Sequence, residues 1–186
     1  LHEHQHSFPT RRSSDLVIGV IKHKDEMILL LDFERIMVDI NPASSISVED
    51  VKKLGKRERS EKKIVIAEDS PLLRKLLFDT MQEAGYMNLD FFENGRDAYE
   101  YLEALVKADK NIENHVQLVI TDVEMPQMDG HHLTKKIKTH PDLRKLPVII
   151  FSSLITDDLR HKGEEVGAED QISKPEIAEL ILRMDQ

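Results

Sequence analysis

Four points in this 186-residue chain carry side chains that could do chemistry together: Glu68 with Asp69, then Asp122, Ser152 and Lys174. Each ends or follows a short apolar run, where a buried strand has no packing reason to place a polar group. Asp122 follows 118–121 and opens a loop through Glu124, Met125, Pro126, Gln127, Met128 and Asp129 to Gly130. Three carboxylates sharing one cleft repel. At about 4 Å and an effective dielectric near about 20, each like-charge pair costs about 4 kcal/mol. A hard divalent cation with oxygen ligands removes that repulsion, and Mg²⁺ binds through one or two carboxylates plus water. A lysine and a hydroxyl then complement an incoming phosphoryl group. The chemistry expected is phosphoryl acceptance, with Asp122 as the nucleophile. Taken singly, each residue also has an ordinary reading: the acid pair as a helix cap, Asp122 as a loop carboxylate, Ser152 bonded to backbone, Lys174 as a surface lysine. Their common position at strand ends favours the joint reading.

The elements that must position these groups are legible from periodicity. Apolar runs at 64–67, 88–92, 117–121, 147–151 and 170–173 read as strands. Between and after them lie helical patterns. Ser70 is an N-cap with Pro71 at the first helical position, where its missing N–H costs nothing. Leu72, Leu73, Leu76, Leu77, Met81 and Ala84 mark one helical face, and Gly85 suits the C-terminal cap. Ala98, Leu102, Leu105 and Val106 form a second stripe, Leu133 and Ile137 a third, Leu159, Gly163 and Val166 a fourth, and Ile177, Leu180, Ile181 and Met184 a fifth. Five strands alternating with five helices predict an α/β fold with a parallel sheet covered on both faces. In such sheets ligands sit outside the carboxyl ends of the strands, where the polar residues cluster.

Composition narrows the function classes. The net charge of -9 and pI of about 5.5 argue against nucleic-acid binding, which needs a basic face. There is no cysteine, hence no disulfide framework or thiolate metal site, which suits a reducing cytosol. No apolar run approaches the ~20 residues of a membrane helix. Residues 7–16 resemble the translation of a sequencing-adapter primer. That resemblance implies that residues 1–16 are not natural protein and that the natural N-terminus is missing. Neither Arg11 with Arg12 as an export signal nor His2, His4 and His6 as metal ligands has support from neighbouring residues. Residues 17–41 read as strand, charged turn, strand and a short amphipathic element, the tail of a larger β domain. Residues 42–62 read as a solvated linker, with a short helix begun by Ser47 and ended by Gly55.

The motifs of residues 63–186 resemble a response-regulator receiver domain: Glu68, Asp69, Asp122, the loop from Met125 to Gly130, Ser152, and Lys174 with Pro175. The sequence of Gly167, Ala168, Glu169 and Asp170 adds to the match. The resemblance implies a flavodoxin-like fold with strand order 2-1-3-4-5, and phosphorylation of Asp122 by a histidine kinase. It also implies Mg²⁺ on Asp69, Asp122, the Glu124 backbone carbonyl and, through water, Glu68. Lys174 would contact the phosphoryl group, the Lys174–Pro175 bond would be cis, and Ser152 would swing to report phosphorylation. Apart from such turnover of its own phosphoryl group, no enzymatic activity is expected. Two departures stand out. Glu68 takes a place where the family more often has Asp, and Gln171 takes the place of a switch aromatic. Output is therefore expected to pass through the loop after Ser152, and Glu124 and Leu154 are expected to set the phosphoryl lifetime.

Residues 18–34 are similar to the end of a CheW-like coupling domain. CheW-like followed by receiver resembles the CheV type of chemotaxis scaffold. That implies a cytoplasmic protein with a CheA-like kinase as phosphodonor and chemoreceptors as partners, its docking surface incomplete here, with no nucleic acid and no membrane insertion. Because the last helix runs to Gln186, no DNA-binding output domain is expected after it. Two alternatives stay open: a stand-alone response regulator of another pathway, and a haloacid-dehalogenase-type phosphatase. The latter wants an acid/base Asp where this chain has Glu124, and a cap domain for which no sequence is present.

Overall fold

A computed structural model describes residues 17–23, 26–31, 48–153, 155–174 and 176–186, in two units, Leu1–Ser44 and Ser45–Gln186. In the first unit β1 (Val17–His23) pairs antiparallel with β2 (Glu26–Leu31), in the register His23 to Glu26. Residues 1–16 and 32–47, including the adapter-like stretch and Ser47, lie outside the described residues.

The second unit begins with α1 (Val48–Lys52) and then alternates. Its elements are β3 (Ser60–Ala67), α2 (Pro71–Glu83), β4 (Tyr86–Phe92), α3 (Gly95–Ala108) and β5 (Leu118–Thr121). They continue with α4 (Gly130–Thr139), β6 (Val148–Ser152), α5 (Asp157–Glu165), β7 (Asp170–Ser173) and α6 (Ile177–Met184). The sheet order is β4-β3-β5-β6-β7, every pair parallel. Counting only these five strands, that is the expected 2-1-3-4-5 order of a flavodoxin-like α/β fold.

The strand period of two splits the core. Ile64, Ile66, Leu118, Ile120, Ile149 and Phe151 face one side with Leu77 and Met81 of α2 and all four apolar residues of the α6 stripe. Val65, Ala67, Val119 and Val148 face the other, against Ala98, Leu102 and Val106 of α3 and Leu133 and Ile137 of α4. The fourth stripe behaves differently: of α5, only Gly163 is buried.

The stretch expected to be a solvated linker is partly folded onto this unit. Val51 is 1% exposed and belongs to the core with Leu77, Met81 and Met184. Gly55, in the left-handed region at φ 85°, turns the chain after α1. Arg57 donates to the Ala84 carbonyl at 3.0 Å and pairs with Asp185, which also accepts from the Tyr86 hydroxyl at 2.7 Å. A charge-rich composition hid one apolar anchor and one partly buried arginine. Val51→Ala is expected to cost about 2 kcal/mol, as large-to-small core changes do, read by denaturant unfolding. A cost indistinguishable from zero would mean that α1 is only resting on the surface.

Candidate functional site

The polar groups converge because parallel strands bring their carboxyl ends to one edge. The Glu68 N–H donates to the Phe92 carbonyl and the Asp122 N–H to the Ala67 carbonyl, both at 2.9 Å, so the sheet ladder runs to the residues themselves. Carboxylate oxygens of Glu68, Asp69 and Asp122 lie within 4.8 Å of one another. Glu68 and Asp122 are buried; Asp69 is exposed. The Lys174 Nζ reaches Asp122 Oδ2 at 2.5 Å and Glu68 Oε2 at 2.8 Å. Asp122 Oδ1 accepts from the Val123 N–H at 2.6 Å, and Glu68 Oε1 from the Ser70 N–H at 3.2 Å.

Burial pushes the Glu68 carboxyl above its ordinary value; Lys174 opposes that shift and Asp122 adds to it. Burial alone would lower the Lys174 ammonium. Its two carboxylate partners outweigh burial and hold it above the usual lysine range. One buried cation thus bridges two buried acids, and the exposed Asp69 adds a further negative charge. Such an all-oxygen set, open on one side, fits a hard divalent cation.

The loop from Asp122 to Gly130 is held in place by its own residues. Asp129 caps α4, its side chain accepting from the His132 N–H at 2.8 Å. Gly130 passes so close to the strand end that a Cβ there would lie 1.9 Å from the Asp122 carbonyl oxygen. Its N–H donates to the Val123 carbonyl at 3.0 Å, and the Thr121 hydroxyl to the Asp122 carbonyl at 2.9 Å. The Asp129–Gly130 pair therefore has two separate physical duties: capping, and close approach.

The remaining expected residues fall as follows. Ser152 is buried at the end of β6, its carbonyl accepting from the Lys174 N–H at 3.1 Å. Glu124 is exposed beside Asp69 on an open groove that also includes Asp129, His131 and Lys162. Gln171 is buried on β7, with its side-chain amide donating to the Arg160 carbonyl of α5 at 2.6 Å. Leu154 and Pro175, and with them the expected cis bond, lie outside the described residues. Arg74 escaped the sequence reading. It donates to the carbonyls of Glu68 and Asp69, both at 2.9 Å, and pairs with Glu93, bracing the acid-bearing loop. On a helix rich in charge, nothing in its position distinguishes it from a surface arginine.

Residues 64–185 match the response regulator receiver domain. The chain belongs to that family. Receiver domains are phospho-acceptors of two-component signalling, and they bind Mg²⁺ at an acidic pocket of the kind built here by Glu68, Asp69 and Asp122. Among relatives, the chain is 32% identical over 147 residues to chemotaxis protein CheV3 of Helicobacter pylori, covering 77% of this chain and 45% of that protein. Against chemotaxis protein CheV2 of the same organism it is 33% identical over 161 residues, covering 84% of this chain and 48% of that one. The chain thus spans about half the length of the curated relatives it matches. Among solved structures, the receiver domain of a signal transduction histidine kinase from Syntrophus aciditrophicus is 34% identical with a TM-score of 0.54, covering 66% of this chain and 88% of that one. Among the described residues, no helix of this receiver protein is long and apolar enough to cross a membrane.

Proposed function

We propose that Asp122 accepts a phosphoryl group from the phosphohistidine of a sensor kinase, and that the protein serves chemotaxis in the manner of a CheV-type coupling protein. The observation that carries the first half is the buried Asp122 carboxylate, 2.5 Å from Lys174 and clustered with two further acids. An Asp122 carboxylate oxygen attacks phosphorus and an O–P bond forms. The P–N bond breaks, and its electron pair stays with the imidazole, which takes up a proton. Asp69, Asp122, the Glu124 backbone carbonyl and, through water, Glu68 would hold Mg²⁺, which supplies neutralisation of the phosphoryl charge. Lys174 leaves Asp122 for the new phosphoryl oxygens, Ser152 is the hydroxyl beside them, and Arg74 keeps the loop carrying both acids in place.

The chemotaxis half rests on the extent of likeness. The receiver match takes in about two thirds of the chain, whereas the CheV3 and CheV2 matches take in 77% and 84%. The likeness to these proteins therefore takes in more of the chain than the receiver match does, which supports reading the residues before the receiver as part of a coupling protein. A CheA-like kinase is the phosphodonor on this reading. Chemoreceptors are partners through the coupling domain, and the site of action is the cytoplasm. Residues 17–41 are the remnant of that domain, 42–62 the connector to the receiver of 63–186, and 1–16 foreign to both.

Phosphotransfer followed by intact mass tests both halves. Rapid transfer is expected from a chemotaxis kinase and not from an unrelated sensor kinase, with none to Asp122→Asn. Transfer from the unrelated kinase alone would keep the acceptor and remove the pathway. Mg²⁺ is tested separately. At one hundred times its dissociation constant it should stabilise the parent by about 2.7 kcal/mol, and Asp69→Ala should lose most of that response. An equal response in both proteins would overturn the ligand set.

A further inference from the structure

Helix α4 contains no acid, in a chain that has 35 of them. Lys135, Lys136, Lys138, Arg144 and Lys145 against Asp142 alone leave residues 130–145 at +4, so with a total of -9 the rest of the chain carries -13. Lys138 is engaged by Glu169 and the Leu146 carbonyl, and Lys136 lies over the Tyr99 ring, 4.1 Å from its centroid. Among the described residues, no acid is recorded in an ion pair with Lys135, Lys136 or Lys162 of α5. Asp158 stands four residues before Lys162, a spacing at which helical pairs form, yet the two are not paired. The three lysines line one open groove of about 560 Å³ between α4 and α5, together with His132, Thr139 and Val166. Through Asp129, His131 and Lys162 it runs on into the groove beside the acceptor loop, which adds Met125 and Leu159. The α5 stripe that joins neither core thus has a place. Leu159 and Val166, both half-buried, line this groove, while Gly163 is turned in against Gln171.

We propose that the groove between α4 and α5 docks an acidic, amphipathic segment of a partner protein, its carboxylates on Lys135, Lys136 and Lys162 and its apolar residues on Leu159 and Val166. Charge and shape together choose that occupant. A nucleic-acid strand carries charge along its whole length and would run off the patch onto a surface of its own sign. An anionic membrane would meet Asp157, Asp158, Glu164 and Glu165, all exposed on α5. A small anion would be poorly enclosed, because ligand pockets bury about 70–90% of what they bind and this groove is open along its length. A protein segment satisfies both stripes at once. The ten residues of α4 span about 15 Å, and Leu159 and Val166 stand two turns apart, the spacing at which a helix-in-groove contact is anchored. Cations on the rim then speed encounter and select for acidic partners. None of this depends on Asp122 being the acceptor.

The test is a titration of the full chain, followed by amide NMR shifts, with a synthetic helical peptide of about 14 residues, about 21 Å long. Leucines at helical spacing form one face of the peptide and glutamates the other. Separate titrations use the same peptide with lysine for glutamate, tripolyphosphate, an oligothymidylate of equal length, and vesicles of an anionic lipid. The acidic peptide should shift amides of α4, α5 and loop 123–129 and leave α2 and α6 unmoved. Its affinity should fall about tenfold between about 50 and about 300 mM salt, as screening shortens the reach of exposed charges. Lys135→Glu combined with Lys162→Glu should weaken it at least tenfold with the melting temperature of the chain unchanged, since both side chains are exposed and unpaired. Val166→Ser should weaken it with the salt dependence kept, which a purely ionic contact would not show. Absence of shifts with the acidic peptide, shifts outside the groove, or equal binding by the lysine peptide overturns the proposal. The same shifts at lower concentration with tripolyphosphate, oligothymidylate or vesicles overturn it in favour of that ligand. The same shifts on raising the concentration of the protein alone overturn it in favour of a second copy of this chain.

Discussion

Lys174→Met is expected to destabilise the receiver by about 3–5 kcal/mol at pH 7, the range for removing one partner of a buried ion pair. At about 2–4 °C per kcal/mol for a domain of this size, the melting temperature should fall by about 10 °C. Lys174 is the only cation among the described residues recorded in an ion pair with Glu68 or Asp122. Without it, two buried carboxylates face each other with Asp69 close by. The pH dependence gives the mechanism away. The Glu68 pKa already lies above its unfolded value of 4.5, chiefly through burial. A raised folded pKa means that the contribution of Glu68 to stability is complete below 4.5 and lost as pH climbs through the folded value. Lys174 is the largest influence holding that folded value down, so the variant raises it further. The deficit of the variant against the parent should be widest at neutral pH and narrow toward pH 4.5, where Glu68 takes up a proton. The raised pKa of Lys174 itself matters only at the alkaline end, where its contribution is lost above 10.5 as pH passes through the folded value. Thermal melts of both proteins across pH 4.5–8 read this directly. A deficit constant across that range would mean that the lost lysine acted by packing its stem and not by its charge.

How much of this was visible in the sequence depends on whether a residue's role is local or long-range. The strand ends were legible, because an apolar run stopping on an acid is a local pattern and parallel strands share an edge. Ser70 and Gly85 were legible, since capping needs only one turn of chain; Asp129 was read only as part of the loop, and its cap of α4 came from the structure. The three-way contact of Lys174 with Glu68 and Asp122 spans three strands, but its participants carried enough chemical identity to be grouped. Arg74, Val51 and the pairing of Gln171 with Gly163 carried none. An arginine bracing two carbonyls looks like any helix arginine, a valine in a charged stretch looks like linker, and a glycine in a helix looks like weak propensity. Gln171 was noticed only for what it is not. Its actual partner, a carbonyl on α5, is fixed by the packing of β7 against that helix, and no period in the sequence encodes it. The fourth stripe failed for a related reason. Leu159, Gly163 and Val166 have helical spacing, but none of them joins either apolar core, and side chains of β7 and α4 meet the carbonyls of Arg160 and Leu159 instead.

Gly130→Ala separates collision from strain and should be the most damaging single methyl in the domain. The new Cβ would stand 1.9 Å from the Asp122 carbonyl oxygen, 2.9 Å from its carbon and 3.1 Å from the Thr121 hydroxyl. All of these belong to the end of β5 or its first loop residue. The neighbours cannot yield like a flexible side chain, because the Asp122 N–H is in the sheet ladder and the Gly130 N–H is bonded to Val123. Either α4 lifts away, exposing Leu133 and Ile137, or Asp122 leaves its place beside Lys174. Overpacking usually costs about 1–3 kcal/mol, and a collision with backbone on both sides belongs at the top of that range or above it. Gly55→Ala is the matched control. Its φ of 85° makes any L-residue uncomfortable, yet nothing lies within 4 Å of the added carbon. Its cost should be about 1–2 kcal/mol, that of one left-handed residue, with Asp122 phosphorylation unchanged. Gly130→Ala should lose more stability than the control and, where the protein still folds, at least tenfold in the rate of Asp122 phosphorylation from a small phosphodonor. If the two variants were equal in both readouts, the close passage of Gly130 over the strand end would not be what holds Asp122. Placement of the acceptor would then fall to Lys174 and the Val123 N–H.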